Sequence, residues 1–232
     1  MDKLIVTNFK MNLSKEEVLE YKKIVENSDI KNLIISPSNI YLDLMSSNKY
    51  DLCAQNGYYE DFGTHTGEVS FKQLKSLGVK YSLIGHSETR NMSNEDIPLK
   101  LKSCINNGIV PILCVGNDIN EKDTSKLFCI LDKELKVLSG LKINDIIIAY
   151  EPTWAIGTGV TPSLENIKSV HTYIKNVLSK VYNIKCKVIY GGSVNSDNIG
   201  ELNTIKNVDG FLVGGASTNI DSLESILIEL EK

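Results

Sequence analysis

The sequence predicts an α/β fold closed into a (β/α)8 barrel. Short β-rich runs alternate with longer helical patterns along the chain. Several of these runs, such as residues 146–149, are apolar throughout, which is typical of parallel strands that helices cover on both faces. The length of 232 residues is slightly below the ~250 typical of this barrel. An open, doubly wound sheet is the alternative arrangement of the same units.

Eight runs have the length and composition of strands. The third is the weakest, because Leu52, Cys53 and Ala54 fit a helix equally well by periodicity. The eight predicted strands cover residues 4–7, 33–36, 51–54, 81–84, 109–115, 146–150, 187–190 and 210–213.

Capping residues mark the helices between these strands. Ser14 and Glu17 have the spacing of a capping box. Thr161, which precedes a proline, predicts a helix start, and Gly78 and Gly108 predict left-handed helix ends.

The longest predicted helix covers residues 164–181. Strict alternation of strand and helix implies right-handed crossovers, and no repeat, low-complexity tract or linker interrupts it. We therefore predict one domain, residues 1–232. The apolar stripe that this helix would turn toward the strands consists of Ile167, Val170, Ile174, Val177 and Leu178.

Composition excludes several classes of function. The net charge of −4 comes without a clustered basic face, so we expect no nucleic-acid partner. No stretch reaches the ~18 apolar residues of a membrane span, and the apolar run at 4–6 is too short for a secretory signal. The five cysteines form no CxxC pair and only three histidines are present, which argues against a disulfide scaffold or a metal site. We expect a cytoplasmic protein.

Polar residues follow the ends of several predicted strands. Asn8 and Lys10 follow the first strand, His86 and Glu88 the fourth, and Glu151 the sixth. In a closed barrel these ends converge on one face, where active sites form. Taken alone, Glu151 could be a surface carboxylate, His86 a core histidine and Glu88 an ordinary ion-pair partner of Lys10.

Glycine-rich turns follow the last two strands, at residues 191–193 and 214–215. A single glycine pair of this kind is usually a tight turn that needs a positive φ. Two such turns after consecutive strands favour phosphate binding, because the loops after strands seven and eight are the usual phosphate site of this barrel.

Five blocks resemble the triosephosphate isomerase family, in the family's order and from end to end. The resemblance implies a TIM barrel that interconverts dihydroxyacetone phosphate and D-glyceraldehyde 3-phosphate in glycolysis and gluconeogenesis. It also implies a cytoplasmic homodimer with no cofactor and no metal. The blocks are NFKMN at 8–12, IGHSE at 84–88, AYEPTWAIGTG at 149–159, YGGSV at 190–194 and GFLVGGA at 210–216.

The same resemblance assigns roles to the polar residues. It implies that Glu151 is the general base and that His86 is a neutral electrophile at the start of a helical turn over 87–90. Lys10 would stabilise the negative charge of the substrate and of the enediolate, and Asn8, on the same side of the pleat, would be a neutral donor. Glu88 matches the family's glutamate beside that lysine.

Backbone N–H groups would bind the phosphate, at Gly157, Ser193, Gly214 and Gly215, and Asn8 and Lys10 would complete the substrate site. A nine-residue lid would close over it and exclude water. The lid consists of Pro152, Thr153, Trp154, Ala155, Ile156, Gly157, Thr158, Gly159 and Val160.

The loop at 57–68 predicts a subunit contact. It carries Tyr58, Tyr59 and Phe62, which is much aromatic surface for a solvated connection. In the resembled family, a threonine that matches Thr66 reaches toward the lysine segment of the partner subunit. The alternative is a loop folded back on its own barrel.

Some positions depart from the family pattern. Thr89 stands where an arginine is usual, Asn117 replaces a glutamate, His65 replaces a phenylalanine, and the segment 117–123 is short. Two other functions stay open: another phosphate-binding barrel such as an epimerase or a lyase, and a catalytically idle barrel that binds or supports other molecules.

Overall fold

The structure, a computed structural model, describes residues 3–28, 30–90, 96–116 and 124–231. Eight parallel strands pair in chain order, and the first pairs with the last, so the sheet closes into a barrel. The predicted (β/α)8 TIM barrel is confirmed, and the open sheet is wrong.

The strands agree with the predicted runs to within one residue at each end. The third, which was the weakest prediction, pairs with both of its neighbours. The strands are β1 (Leu4–Asn8), β2 (Leu33–Ser36), β3 (Asp51–Ala54), β4 (Tyr81–Ile84), β5 (Val110–Val115), β6 (Ile147–Tyr150), β7 (Lys187–Tyr190) and β8 (Gly210–Val213).

The helices surround this barrel. They are α1 (Lys15–Glu26), α2 (Phe71–Ser76), α3 (Asp96–Asn106), α4 (Thr124–Leu135), α5 (Leu164–Val181), α6 (Ile199–Asn203) and α7 (Ile220–Glu231).

Alternation along each strand divides the core into two buried clusters. Inward-pointing side chains fill the barrel, and outward-pointing ones pack under the helices. On β1, for example, Val6 lies in the inner cluster and Ile5 in the outer one. The inner cluster comprises Leu4, Val6, Ile34, Cys53, Leu83, Ile112, Cys114, Ile147, Ala149, Ile189 and Leu212.

The predicted caps are largely confirmed. Ser14 and Glu17 form the capping box of α1, and Gly78 and Gly108 have positive φ just after α2 and α3. The predicted start at Thr161 is wrong: α5 begins at Leu164, and the Ser163 side chain accepts from the N–H of Asn166. A serine two positions further on can cap the helix, so Thr161 stays in the loop.

The connection between β2 and β3 departs from strict strand–helix alternation. Within the described residues 30–90, this connection contains only a 3-10 helix, Asn39–Tyr41, followed by turns. The segment buries Leu42 and Met45 and then runs into Ser46, Ser47 and Asn48, which favour turns. It therefore covers its side of the barrel without a full helix.

The predicted stripe of α5 faces the barrel, with Val177 half-buried and the other four residues fully buried. His171, on the same helix, packs against the rings of Tyr150 and Tyr190, with centroid distances of 6.0 and 6.5 Å. Burial lowers the pKa of His171 to about 3, so it is a neutral core residue at physiological pH. Among the described residues, no helix is both long and apolar enough to cross a bilayer.

Candidate active site

Glu151 is a buried carboxylate at the end of β6. Its backbone continues the sheet, since its N–H donates to the Val115 carbonyl at 2.8 Å, and alternation along β6 turns its side chain into the barrel. Oε2 accepts from the N–H of Ser87 at 3.2 Å. Burial raises the pKa of Glu151; the His86 ring, the Ser87 N–H, the Cys114 thiol and, last, Lys10 oppose the shift. An ionised carboxylate in this setting is a stronger base than one in water.

His86 reaches the same place by a sharp turn. Gly85, with φ of +73°, ends β4 and redirects the chain so that the His86 ring lies over the mouth of the barrel. Its Nε2 is 3.3 Å from Glu151 Oε1. Its Nδ1 accepts from the N–H of Glu88 at 3.2 Å, which in a neutral imidazole places the ring proton on Nε2. The predicted turn over 87–90 is present, closed by Thr89 N–H to the His86 carbonyl at 2.9 Å.

Lys10 lies at the end of β1 in a strained backbone conformation. Its φ is +53°, which a side chain with a Cβ seldom adopts. Its N–H donates to Asn8 Oδ1 at 3.0 Å, and its carbonyl accepts from Ser38 Oγ at 2.8 Å and from Gln55 Nε2 at 2.9 Å. These three bonds hold the backbone of the strained residue in place.

Glu88 pairs with that ammonium group at 2.6 Å, and both side chains are partly exposed. Asn8 is buried beside His86, with its Nδ2 3.4 Å from the His86 Nε2. The side chains predicted at the ends of the first and fourth strands therefore lie close together.

A cavity of about 220 Å³ lies over this point. It is lined by Glu151, His86 and every residue predicted to bind substrate: Asn8, Lys10, Gly157, Ser193, Gly214 and Gly215. Glu88 lies outside the lining and contacts the site through Lys10. In the described part of the chain, no three His, Cys, Asp or Glu side chains are grouped as a metal would need.

The two glycine-rich turns lie side by side in this cavity. Gly191 and Gly192 follow β7, and Gly214 and Gly215 follow β8, where a short 3-10 helix, Gly215–Thr218, begins. The first N–H groups of a helix have no partner within the helix and attract anions. The Lys10 ammonium and the N–H groups of the two turns therefore make this side of the cavity suitable for a dianion.

The predicted lid crosses the mouth of the cavity. Its entry, Thr153–Ala155, forms a 3-10 helix, and Ala155 is fully buried. Ile156, Gly157 and Gly159 line the cavity, whereas residues 157–160 are exposed to solvent. Ala155 therefore lies in the core, and the part of the lid that meets the cavity begins at Ile156.

Sequence reasoning missed Asn195 and Leu212, which line the cavity. Gly191, predicted only as part of a phosphate-binding turn, also leaves room for the Glu151 side chain, since a Cβ on it would lie 3.1 Å from Glu151 Cγ. Inward alternation along β8 could have identified Leu212. No local signal identifies Ser38 as a contact of Lys10, because the pairing joins separate loops.

The loop at 57–68 is partly folded onto its own chain. Tyr58 stacks on Tyr59 and contacts the tilted ring of His65, with 4.5 Å between ring centroids in each case. His65 Nε2 is 3.1 Å from Glu60 Oε2. Phe62 stays 72% exposed. Thr66 is exposed near the tip of the loop.

Of the other departures, Thr89 donates from Oγ1 to the His86 carbonyl at 3.1 Å and so supports the turn that carries His86. Asn117 and the segment 117–123 lie outside the described residues.

The family model described as triosephosphate isomerase matches residues 3–230. The chain belongs to the triosephosphate isomerase family. Similar proteins named triosephosphate isomerase occur in Thermodesulfovibrio yellowstonii, 39% identical over 93% of this chain and 94% of that protein, and in Aquifex aeolicus, 36% identical over 98% and 99%. A third, from Francisella tularensis subsp. mediasiatica, is 35% identical over 100% of this chain and 98% of its own length.

Membership of the triosephosphate isomerase family favours the isomerase over the epimerase or lyase considered from the sequence. The match spans all eight strands and both glycine-rich turns, so it covers the whole cavity as well as the barrel.

Proposed function

We propose that this protein interconverts dihydroxyacetone phosphate and D-glyceraldehyde 3-phosphate, with Glu151 as the base that moves the proton. The supporting observation is the fully buried Glu151 carboxylate, 3.3 Å from the His86 ring nitrogen at the cavity mouth. The pairing supplies a base and a proton donor within reach of one substrate.

The proton transfer follows from the two positions. Glu151 takes a proton from the carbon beside the carbonyl, and the electron pair of that C–H bond moves to the carbonyl oxygen, giving an enediolate. The Nε2–H of His86 donates a hydrogen bond to the oxygens where this charge develops. The proton of the hydroxyl on the first carbon then moves to the oxygen that carries this charge. As the first carbon becomes the new carbonyl, Glu151 returns its proton to the neighbouring carbon, which completes an isomerisation without a cofactor.

Lys10 and Asn8 supply the remaining stabilisation. The Lys10 ammonium is on the cavity wall, and a Cβ placed on Gly214 would lie 3.5 Å from Lys10 Cε. The cation therefore lies close to the turn after β8, where it can attract the phosphate as well as the enediolate. We assign Glu88, its ion-pair partner, the task of fixing the ammonium position.

The phosphate would be held by backbone N–H groups at Gly157, Ser193, Gly214 and Gly215, which all line the cavity. The segment Pro152–Val160 would close as a lid, and its contribution of Gly157 links closure to phosphate binding. Water exclusion then protects the enediolate from eliminating phosphate.

We also propose a homodimer that is built through the 57–68 loop and includes Thr66. Support comes from two exposed apolar side chains: Met11, next to Lys10, is 95% exposed, and Phe62, in the loop, is 72% exposed. Gln55, two residues before the loop, bonds to the Lys10 carbonyl, so the loop and the lysine segment are neighbours. A symmetric contact could cover both. We place this one-domain protein in the cytoplasm, in glycolysis and gluconeogenesis.

A coupled isomerase assay on both triose phosphates tests the function. We expect the purified wild type to convert each substrate into the other, and Glu151→Gln, which keeps the shape of the side chain but cannot accept the proton, to have lost the activity. A wild type that converts neither substrate would refute the proposal.

A further inference from the structure

We propose that Asn198 is a positioning residue that ties the exit end of the lid to the phosphate-binding turn. The proposal rests on the function proposed above. Asn198 lies just before α6, outside the cavity lining. Its side-chain Nδ2 donates to Thr161 Oγ1 at 3.2 Å and to the Ser193 carbonyl at 2.9 Å. Thr161 is the first residue after the lid, and Ser193 belongs to the turn after β7.

The orientation of this amide is determined by its other contact. Asn198 Oδ1 accepts from the N–H of Asn195 at 2.9 Å, so the opposite side of the amide must be the donor. That donor side meets a carbonyl and a hydroxyl, both of which can accept. All three contacts therefore agree with one amide orientation.

Asn198 also makes no side-chain capping bond, although it occupies the N-cap position of α6. An asparagine there ordinarily accepts from the N–H groups of the first helical turn. Asn195 supplies a side-chain acceptor just before the helix, since its Oδ1 accepts from the N–H groups of Asp197 and Asn198. The Asn198 amide is thus left to bridge the exit of the lid and the turn after β7.

The consequence is a coupling between closure and phosphate binding. The lid ends at Val160, and the Thr161 link fixes the point from which it moves. The Ser193 link fixes the turn that supplies a proposed phosphate donor. When Asn198 loses its amide, both ends move independently, and the entropy of ordering them is incurred when the substrate binds.

The effect should depend on the phosphate. Asn198→Ala removes the contacts with Thr161, Ser193 and Asn195, and we expect it to lower kcat/KM on D-glyceraldehyde 3-phosphate about tenfold, since the net contribution of each hydrogen bond is modest. This loss should appear mainly as a higher KM, and more methylglyoxal should form per turnover. Activity on D-glyceraldehyde, which has no phosphate, should stay at the wild-type level, because Glu151 and His86 are untouched.

Two further variants isolate the link. Thr161→Val removes only the contact with the lid exit, so we expect a smaller loss on the phosphorylated substrate. The double variant Asn198→Ala/Thr161→Val should be no worse than Asn198→Ala alone, since the first change already breaks the shared bond. Asn203→Ala is the matched control: this asparagine is the last residue of α6 and bonds to the Leu230 carbonyl, away from the lid. It should behave as wild type.

Equal losses on the phosphorylated and the phosphate-free substrate would overturn the proposal, because they would indicate general damage to the barrel. Wild-type kinetics of Asn198→Ala, in a protein with unchanged melting temperature, would also overturn it. If Asn198→Ala does not fold, Thr161→Val alone decides by the same comparison of substrates. A wild type inactive on triose phosphates would reject the proposed function itself, and this coupling with it.

Discussion

Replacing Glu151 by aspartate withdraws the carboxylate by about one C–C bond, ~1.5 Å. In the structure its oxygens lie 3.2 Å from the Ser87 N–H and 3.3 Å from His86 Nε2, so a retreat of this size takes them beyond hydrogen-bond distance. A misplacement of about 1 Å at a reacting centre can cost ~10²-fold, or ~2.7 kcal/mol in the barrier. We therefore expect kcat of Glu151→Asp to fall by at least about 10²-fold.

The fold should survive this change. One buried CH2 is worth about 0.8 kcal/mol, which corresponds to a melting shift of roughly 2–3 °C in a chain of this size. The measurement is the coupled assay in both directions, with melting followed by circular dichroism. The exposed Glu201 provides the control, since Glu201→Asp makes the same chemical change on the surface. Turnover of Glu151→Asp within a few-fold of wild type would refute the assignment of Glu151 as the base.

Four further outcomes are expected. Deleting Ala155–Gly157 should leave the barrel folded but release more methylglyoxal and phosphate per turnover, and product analysis without such a rise would refute the protective lid. Across a dilution series, activity should fall as light scattering shows the dimer dissociating, and for Thr66→Arg both should fall at a higher protein concentration. A fully active monomer of either protein would refute the dependence of activity on dimerisation. Burial raises the pKa of Glu151, so the ionised carboxylate lowers the stability of the folded state above that pKa. Glu151→Gln should therefore melt at a higher temperature than wild type at pH 7 and lose that advantage below about pH 4.5. An equal difference in melting temperature at both pH values would contradict this. Because the pKa of His171 is lowered to about 3, only the unfolded state binds its proton as pH falls from 6.5 toward 3, and the folded state loses stability over that range. The melting temperature of His171→Gln should fall less steeply with pH there, and an equal slope in both proteins would count against this.

The barrel was predictable because its signal is local and repeated. Each strand is a short apolar run, and the residue that follows it is fixed in direction by alternation, which is why Glu151 and Asn8 could be placed at one face before the structure was known. The connection after β2 shows the limit of this reasoning. It has no full helix, and its turns bury Leu42 and Met45 against the barrel instead, an arrangement that strict strand–helix alternation did not predict.

The site was predictable in its chemistry and less so in its supports. Residues such as His86 and Lys10 belong to recognisable blocks. The bonds that hold Lys10 at φ +53° come from Ser38 and Gln55, which lie on two other loops. Pairings of this kind depend on how the loops pack in three dimensions, and only the structure reveals them.

The central claim is that one carboxylate moves the proton between neighbouring carbons, and solvent labelling tests it most directly. The wild type, incubated in D2O with dihydroxyacetone phosphate, should introduce deuterium at C2 of the glyceraldehyde 3-phosphate that forms and at C1 of the recovered substrate, as read by NMR. Glu151→Gln, folded and at equal concentration, should leave both carbons unlabelled over the same period. Deuterium entering at the wild-type rate in that variant would contradict the account, because the proton would then be moved by another group.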